Sequence, residues 1–370
     1  MDLAFLDPLY EDTGPWASVY VDLSRRTENM VHERELTAEA LSRQLAEQGA
    51  DERTCHAVRD AVHDLRHSSD AHGRALFARD GRVLLDPPLA RRPAGGSTAH
   101  WAPLPHTAPL LELAGEDPVC VVAYVDRRGA DLELRSGALG SQDAGTVTGE
   151  QWPLHRTHTN AWSTKHFELK VENTWEQNAA EIAQALAACQ EETRADLLIL
   201  VGDVRERRAV HERLPKHLRG RVMETDHGAG SRLLDDDVER IRAEHVWRRA
   251  GDELDRFLAA RDPGADGRAG AVEGVPAVIE AAREHRIEEL LIHPDGPDAH
   301  REVWVGEDPD QLAVRRSDLR AIGEEHAWPA RADDALLRAA AVTGAPALSV
   351  TPAGVDDAPV GGVGALLRWK

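Results

Sequence analysis

The chain has 370 residues, which predicts two or three domains of about 100 to 150 residues rather than a single core. Its net charge is −21, with 40 Arg and only 4 Lys, which excludes indiscriminate binding to nucleic acids but leaves room for a local RNA contact through segregated cations. The sequence contains neither a run of about eighteen apolar residues nor a signal peptide, so it predicts a cytoplasmic protein without a membrane contact.

The first third of the chain mixes strand and helix patterns. Trp16–Leu23 alternates apolar and polar residues, which predicts a strand. Apolar stripes predict two helices, at Glu28–Gln48 and Glu52–Arg66. A hairpin is predicted around Asp80-Gly81, since Asp-Gly strongly favours a tight turn between strands. Residues 87–109, rich in Pro, Gly, Arg and His, are predicted to form an irregular crossing.

The middle of the chain begins with a predicted hairpin. Pro118–Asp126 is a run of apolar strand formers and predicts a buried strand. Leu132–Ser136 follows a turn and is predicted to return as its antiparallel partner. The small and polar residues 137–149 predict an irregular connection.

A loop, a long helix and a strand organise the rest of this region. Gln151–His166 holds three His, two Trp, one Arg and one Lys without apolar periodicity, which predicts a loop. From Val171 to Cys189 apolar residues recur at helical spacing, which predicts a helix of about six turns. The apolar run Asp196–Val201 predicts a buried parallel strand. A polar loop at the head of a braced helix is a typical way to present a binding tip.

The most basic stretch of the chain follows this strand. Arg205–Leu214 predicts a helix and Arg221–Glu224 a short strand. Between Arg205 and Arg221 stand seven Arg or Lys against two Glu. Both a solvated helix face and a contact with an RNA backbone are consistent with this composition. The residues that would make the RNA contact are Arg205, Arg208, Arg213, Lys216, Arg219 and Arg221.

The last third predicts a three-layer α/β domain, because helices and apolar strands alternate. A long charged helix is predicted from Ser231 to about Ala260, and Asp262–Gly270 is predicted to be a turn cluster. Further helices are predicted at Val272–Arg283 and Ala332–Thr343. The predicted strands are Ile287–His293, Val303–Gly306, Ala347–Val350 and a closing segment at Gly361–Arg368.

The chemical motifs of common enzymes do not occur in the sequence. No G-x-S-x-G nucleophile turn and no phosphate-binding glycine loop is found, so no cofactor is predicted. His155, His158 and His166 lack a Cys, Asp or Glu at ligand spacing within the loop, so no metal is predicted either. The three cysteines lie far apart in apolar stretches, which predicts buried free thiols.

The loop itself allows two interpretations. Trp152 and Trp162 could stack on nucleobases, with Arg156 and Lys165 contacting phosphates. Alternatively, both tryptophans could fold back onto their own domain, since exposing an aromatic ring without a partner is unfavourable.

Three segments resemble the class-one release factors of archaea and eukaryotes, their Pelota relatives and a bacterial branch of that superfamily, which includes mycobacterial proteins and ribosome hibernation factors. These segments are the loop and helix at Thr157–Ala183, the strand at Leu197–Asp203 and the Gly-rich ending at Gly361–Trp369. Release factors carry Gly-Gly-Gln in the loop, against the ester of peptidyl-tRNA. This chain reads His158-Thr159-Asn160-Ala161-Trp162 there, and Gly-Gly-Gln occurs nowhere in it.

The resemblance implies a mixed α/β fold in three domains. These are an N-terminal α/β domain at 1–114, a middle release-factor-like domain at 115–228 with its loop at 151–166, and a C-terminal domain at 229–370 similar to kink-turn-binding ribosomal proteins. The loop residues expected to contact RNA are His155, Arg156, His158, Asn160, Trp162 and Lys165.

The resemblance also implies a function and partners. It favours a monomeric factor of the hibernation type that occupies the aminoacyl site of the ribosome and contacts ribosomal RNA, with elongation factor Tu as a further candidate partner. Two alternatives stay open. One is a rescue enzyme that acts on peptidyl-tRNA or tRNA, with a loop histidine as general acid or base. The other is a stress-linked protein-binding module without a ribosomal role, which an acidic surface would suit.

Overall fold

The chain divides into two compact units in a computed structural model. The larger unit comprises Met1–Glu116 and Arg249–Lys370, and the smaller unit comprises Asp117–Arg248. The residues described are 1–11, 14–24, 30–65, 68, 72–136, 140–148, 161–225, 227–263, 267–351, 354 and 357–369. The partition into domains 1–114, 115–228 and 229–370 stays a prediction.

Helices and strands follow one another through both units. The helices are α1 Met30–Glu47, α2 Glu52–Asp64, α3 Leu110–Leu113, α4 Ala161–Thr193, α5 Val204–Arg213, α6 Lys216–Arg219, α7 Leu234–Arg261, α8 Val275–Arg283, α9 Arg316–Ala321 and α10 Ala332–Val342. The strands are β1 Trp16–Asp22, β2 Gly73–Arg79, β3 Arg82–Leu85, β4 Pro88–Leu89, β5 Thr98–Ala102, β6 Cys120–Val125, β7 Gly129–Ser136, β8 Gly140–Thr148, β9 Leu197–Val201, β10 Val222–Glu224, β11 Ala271–Glu273, β12 Ile287–Ile292, β13 Glu302–Val305, β14 Leu312–Ala313, β15 Trp328–Arg331, β16 Ala347–Ser349 and β17 Val363–Leu367. The mixed α/β class is confirmed.

The smaller unit is a five-stranded sheet between helices. Its strand order is β10-β9-β6-β7-β8, with β6, β9 and β10 parallel and β7 and β8 added as antiparallel hairpins. Side chains alternate along β6 as a pleated strand requires. Val121 and Ala123 join the core that α4 and α5 cover, whereas Val122 joins Val238 and Ile241 of α7 on the opposite face.

The first part of the larger unit is an antiparallel sheet in the order β3-β2-β1-β5, with β4 on the edge of β2. Its inward residues Val19 and Leu76 pack with α1 and α2. The predicted hairpin is confirmed, since β2 and β3 pair around Asp80 and Gly81, whose φ angles of 51° and 79° suit a two-residue turn.

The second part of the larger unit is layered as predicted. The sheet β11-β17-β12-β16 is covered by α8 and α10 on one face and by the second half of α7 on the other. A small sheet, β14-β13-β15, completes this part. Tyr20 and Phe77 from the first part lie in the same hydrophobic cluster as Leu336 and Leu337 of α10, so the two parts share one core. The similarity of residues 229–370 to kink-turn-binding proteins stays a prediction.

A buried polar cluster at the start of α10 joins the two parts of the larger unit. The carboxylate of Asp334 is 3% exposed. It accepts hydrogen bonds from the backbone N–H groups of Thr107 at 2.9 Å and Ala108 at 3.0 Å. Its other oxygen lies 2.8 Å from Nδ1 of His106. These contacts fix the segment after β5 to α10.

The ionisation of this cluster follows from burial and charge. Burial alone lowers the pKa of His106, but the negative charge of Asp334 and the hydrogen bond to it outweigh burial and raise the pKa. Burial and the charge of Asp334 also raise the pKa of Asp333, although Asp333 accepts two hydrogen bonds from Arg331 at 2.6 and 3.1 Å. The pairing therefore favours the protonated imidazole of His106.

The structure corrects four predictions about local structure. The predicted irregular crossing at 87–109 contains β4 and β5, and β5 pairs with β1. The predicted connection at 137–149 contains β8, whose described side chains lie in exposed or half-buried positions, so it has no apolar pattern to reveal it. The predicted helix at Val272 begins only at Val275, after β11. The predicted loop at 151–166 is helical from Ala161 onwards.

We expect the stability of the larger unit to depend on the charge of His106. Because its pKa in the folded state is raised, the stabilisation is fully present below about pH 6.5, the ordinary value for histidine, and is lost as the pH rises through the raised value. Urea unfolding of the parent and of His106→Asn between pH 5.5 and 9 measures this. The difference in unfolding free energy between the two should shrink as the pH rises.

His326→Asn, an exposed histidine of the same unit, is the control and should follow the parent at every pH. An identical pH profile for the parent and His106→Asn would contradict the role given to the His106–Asp334 pair.

Candidate nucleic-acid interface

The head of α4 is the first of the two predicted RNA contacts. His155, Arg156, His158 and Asn160 lie outside the described residues. Trp162, however, lies in the first turn of α4, and Lys165 lies in the second. The loop prediction is therefore wrong from Ala161 onwards. No Gly or Pro occurs between Ala161 and Thr193, so nothing in the sequence stops the helix from extending beyond its apolar stripe.

The second half of α4 is anchored on the sheet. The helix has 33 residues and is therefore about 50 Å long. Ala179, Ile182 and Leu186 are each fully buried in the core beneath it. The side chain of Asn178, 1% exposed, donates a hydrogen bond of 3.1 Å to the carbonyl of Arg127 in the turn between β6 and β7. Packing and this polar contact together fix the direction of the helix axis.

The basic segment is formed by α5, α6 and the start of β10. Asp203 caps α5 by accepting a 2.9 Å hydrogen bond from the backbone N–H of Arg205. Val210, Leu214 and Leu218 are buried against the sheet. The apolar side of the segment therefore faces the core. Arg207 is buried as well and donates to the carbonyl of Thr225 at 2.6 Å.

Three of the six predicted cations bind the chain's own backbone. Arg219 donates to the carbonyl of Leu214 at 2.9 Å and to that of Glu212 at 2.6 Å. Arg213 donates to Ala209 at 3.0 Å, and Arg221 donates to Ala195 at 3.3 Å. Arg219 thereby satisfies carbonyls at the carboxyl end of α5, which have no partner within the helix. These three arginines have structural contacts that the sequence did not reveal.

The other three cations are better placed to meet a ligand. Arg208 pairs with Glu212 at 2.8 Å, but both side chains are largely exposed, so the pair is weak and exchangeable. The hydrogen bond from Arg208 lowers the pKa of Glu212. Arg205 and Lys216 are exposed, and among the described residues neither side chain has a hydrogen-bond or ion-pair partner. His217 is exposed beside Lys216 and was not among the predicted residues.

A polar network covers the opposite face of the sheet. The hydroxyl of Tyr124 donates to Glu133 at 2.5 Å, and Arg135 donates to that hydroxyl at 2.8 Å and to Asp235 at 2.7 Å. Burial raises the pKa of Tyr124 to about 12. Burial also acts to raise the pKa of Glu133, but hydrogen bonds from Arg135, Ser141 and Tyr124 outweigh it and lower the pKa.

These shifts determine the charges within the network. At neutral pH it contains a neutral phenol, an ionised carboxylate and a charged guanidinium. Asp235 lies in the first turn of α7 and forms an ion pair with Arg135, which ties α7 to β7.

The structure assigns no metal or membrane role to the residues it describes. His155 and His158 lie outside them, and among the described residues no three His, Cys, Asp or Glu side chains form a metal-binding group. Within the same residues, none of the helices has the length and apolar character that crossing a bilayer requires. Cys55 and Cys120 are buried and Cys189 is half-buried, and all three are free thiols, as predicted.

Comparison with known proteins gives matches along the whole chain. An uncharacterized protein of Mycobacterium tuberculosis is 29% identical over 362 residues, which cover 96% of this chain and 94% of the relative. The crystal structure of the archaeal translation termination factor aRF1 matches 99% of this chain and 97% of its own at 16% identity and a TM-score of 0.25. A model of ribosome-bound archaeal Pelota and ABCE1 matches 100% and 94% at 14% identity and a TM-score of 0.41.

A family model matches the segment that carries the candidate interface. It is that of bacterial archaeo-eukaryotic release factor family 2, and it covers residues 119–263. This segment contains the sheet of the smaller unit, α4, the basic segment and α7. The resemblance drawn from the sequence is thereby confirmed: over residues 119–263 the chain is similar to bacterial archaeo-eukaryotic release factors of family 2, the bacterial branch of the release factor and Pelota superfamily.

Proposed function

We propose that this chain is a ribosome-binding factor of the hibernation type, which occupies the aminoacyl site without releasing the peptide. The observation that carries the proposal is the family match over residues 119–263, because it spans both segments that the sequence marked as RNA contacts. Monomeric action and contact with elongation factor Tu are parts of the same proposal.

The sequence at the head of α4 supports binding without hydrolysis. Where the resemblance places Gly-Gly-Gln, the chain reads His158-Thr159-Asn160, directly before the first residue of α4. Asparagine is one methylene shorter than glutamine, and without a pair of glycines the backbone cannot approach a substrate as closely. An amide in this setting is poorly suited to position water against an ester.

The basic segment supports a contact with phosphates. Arg205, Arg208 and Lys216 project from a body whose core is closed beneath them, so binding requires little reorganisation. These three cations are clustered in one short segment of a chain whose net charge is −21. Screening confines such a contact to short range, since the Debye length is about 8 Å at physiological salt. We infer a docking contact of a few phosphates rather than long-range attraction to RNA.

Reversing Arg205 and Lys216 should weaken binding to ribosomes. For Arg205→Glu with Lys216→Glu, the slope of log affinity against log salt should become shallower by about 1.4 to 1.8, because each phosphate contact contributes roughly 0.7 to 0.9. The thermal midpoint should stay that of the parent, since the two side chains are exposed. Co-sedimentation with vacant ribosomes across a salt series measures the slope.

Two variants serve as references in this experiment. Arg320→Glu changes an exposed arginine of α9, outside residues 119–263, and should leave the salt slope unchanged. Arg219→Glu removes two hydrogen bonds to α5 carbonyls and should lower the thermal midpoint. A double variant that binds with the parent's salt slope would refute the phosphate contact.

The head of α4 should contribute affinity rather than stability. If the residues at 162 and 165 stack on and pair with ribosomal RNA, Trp162→Ala with Lys165→Ala should cost roughly 1–3 kcal/mol of binding for the stack and less for the screened cation. Melting of the isolated protein and binding to vacant ribosomes are measured together. A melting point far below that of the parent would show instead that Trp162 packs in a core.

Ile182→Ala is the matched reference for this pair of measurements. Ile182 is fully buried under the same helix, so its truncation should destabilise the smaller unit by about 2–5 kcal/mol through a cavity. Normal melting together with normal binding in the Trp162 and Lys165 double variant would mean that the head of α4 does not reach RNA.

The protein should not release peptide from peptidyl-tRNA. Ribosomes programmed with labelled peptidyl-tRNA are incubated with increasing protein, and released peptide is counted. The expected result is the background rate at every concentration, because the amide geometry of a release factor is missing. Saturable release that disappears in His158→Ala would instead establish the rescue-enzyme alternative, with His158 as the general acid or base.

A further inference from the structure

The larger unit contains a cavity of about 340 Å³ that is separate from the candidate interface. One wall comes from the first part of the unit, with Trp16 at the start of β1 and Leu104 after β5. The opposite wall comes from the second part, with Trp328 at the start of β15 and Arg338 of α10. Both parts share one hydrophobic core, so the cavity lies inside one compact unit.

The cavity is preformed and its walls are mostly apolar and aromatic. Trp16 is 2% exposed and pairs with Ala102 in the sheet, which holds it beside the segment that begins at Pro103. Pro15, Pro103 and Pro105 line the cavity and have fixed φ angles, so the backbone of this wall is stiff. Ligand sites are typically of this kind: apolar, preformed, and about 300 to 1,000 Å³ in volume.

One cation breaks this apolar wall. Arg338 is 4% exposed and donates hydrogen bonds to the carbonyl of Gly306 at 2.9 Å and to that of Glu307. A guanidinium has five N–H donors, so further donors remain for another acceptor. Across the described parts of the chain, no carboxylate lies within ion-pair distance of Arg338. Burial lowers the pKa of Arg338, and the more distant charges of Asp308 and Asp310 offset this only in part.

The buried arginines of the chain have two kinds of partner. Arg207 pairs with Glu224 at 3.2 Å and Arg242 pairs with Glu239 at 2.7 Å, whereas Arg34, like Arg338, donates to two backbone carbonyls. Arg338 differs from Arg34 in that it lines the cavity described above. Two neutral carbonyls satisfy hydrogen bonds without neutralising the charge, and a buried charge without an opposite partner is unfavourable. An anion that entered the cavity would supply the missing partner.

We propose that this cavity binds a small organic anion, namely a flat aromatic or apolar ring system that carries one carboxylate or sulfonate. The ring would lie between Trp16 and Trp328, and the anionic group would accept charge-assisted hydrogen bonds from Arg338. The volume lies at the lower end of the range for small-molecule sites, which suits a ligand of two or three rings rather than a polymer. This site rests on the larger unit alone and does not depend on ribosome binding.

A matched pair of fluorescent probes tests both features of the site on the purified full chain. The probes are 8-anilinonaphthalene-1-sulfonate and neutral 1-anilinonaphthalene, which has the same rings without the anion. The parent should bind the sulfonate saturably at one site and about tenfold or more tightly than the neutral probe, because a hydrogen bond to a charged group contributes at least that factor. Equal affinity for the two probes, or no saturable binding, would overturn the proposal.

Variants then locate the site. Arg338→Gln should remove the preference for the sulfonate while leaving the neutral probe bound, and Leu104→Trp should fill the cavity and abolish binding of both. Arg320→Gln, the same change at an exposed position of the unit, should behave as the parent. Each variant is melted first, because the sulfonate probe also binds partly unfolded chains.

The experiment still tests the proposed site if Arg338→Gln fails to fold. Leu104→Trp then shows whether the cavity holds the probe, and the ratio of the two affinities in the parent shows whether the site selects an anion. Sulfonate binding that persists unchanged in a folded Leu104→Trp would place the probe elsewhere and refute the site.

Discussion

The carboxylate of Asp334 is the contact on which the larger unit depends. It is buried and accepts hydrogen bonds from two successive backbone N–H groups, and it pairs with the imidazole of His106. A carboxylate without such partners would cost several kcal/mol in a protein interior. The segment after β5 must therefore stay against α10. Residues 1–116 and 249–370 consequently form one unit although more than 130 residues separate them in sequence.

The same helix carries the opposite charge one turn further on. Asp334 and Arg338 are four residues apart on α10, yet Asp334 binds the segment at 106–108 while Arg338 lines the cavity. The start of a helix favours negative charge, which helps α10 to hold two buried carboxylates there. Arg338 lies beyond that first turn and has only carbonyl partners. Because these charges are separated along one helix, the cavity is lined by a cation that has no direct ion-pair partner among the described residues.

Sequence patterns predicted the elements that carry a stripe or a run of buried apolar residues, and they failed where burial leaves no such pattern. The stripe through Ile182 and Leu186 predicted α4, and the run at Leu197 predicted β9, because both lie on the sheet core. The strand β8 carries small and polar residues in exposed or half-buried positions, and only its hydrogen bonds to β7 define it. The start of α4 was missed for the same reason, since apolar periodicity begins only at Val171.

Composition located the basic segment but could not show which of its cations are available. Arg213 and Arg219 donate hydrogen bonds to backbone carbonyls in the last turns of α5 and just after it. Such contacts cannot be predicted from a count of charges. Likewise, Asp333 and Asp334 lie in the first turn of α10, and nothing in the sequence marked them as a contact between distant parts of the chain. The role of Asp334 depends on His106, which lies more than 220 residues earlier in the chain.

Among the residues whose burial is described, the Arg and Lys side chains that are buried are all arginines. The planar guanidinium suits carbonyls and carboxylates in the interior, as at 207 and 338, whereas the ammonium group of Lys is strongly hydrated and best suited to a solvated contact. Of only four lysines, three stand within residues 119–263: Lys165, Lys170 and Lys216. The first two belong to the head of α4 and the third to the basic segment. In a chain that otherwise uses Arg almost exclusively, lysines thus coincide with the two segments proposed to contact RNA.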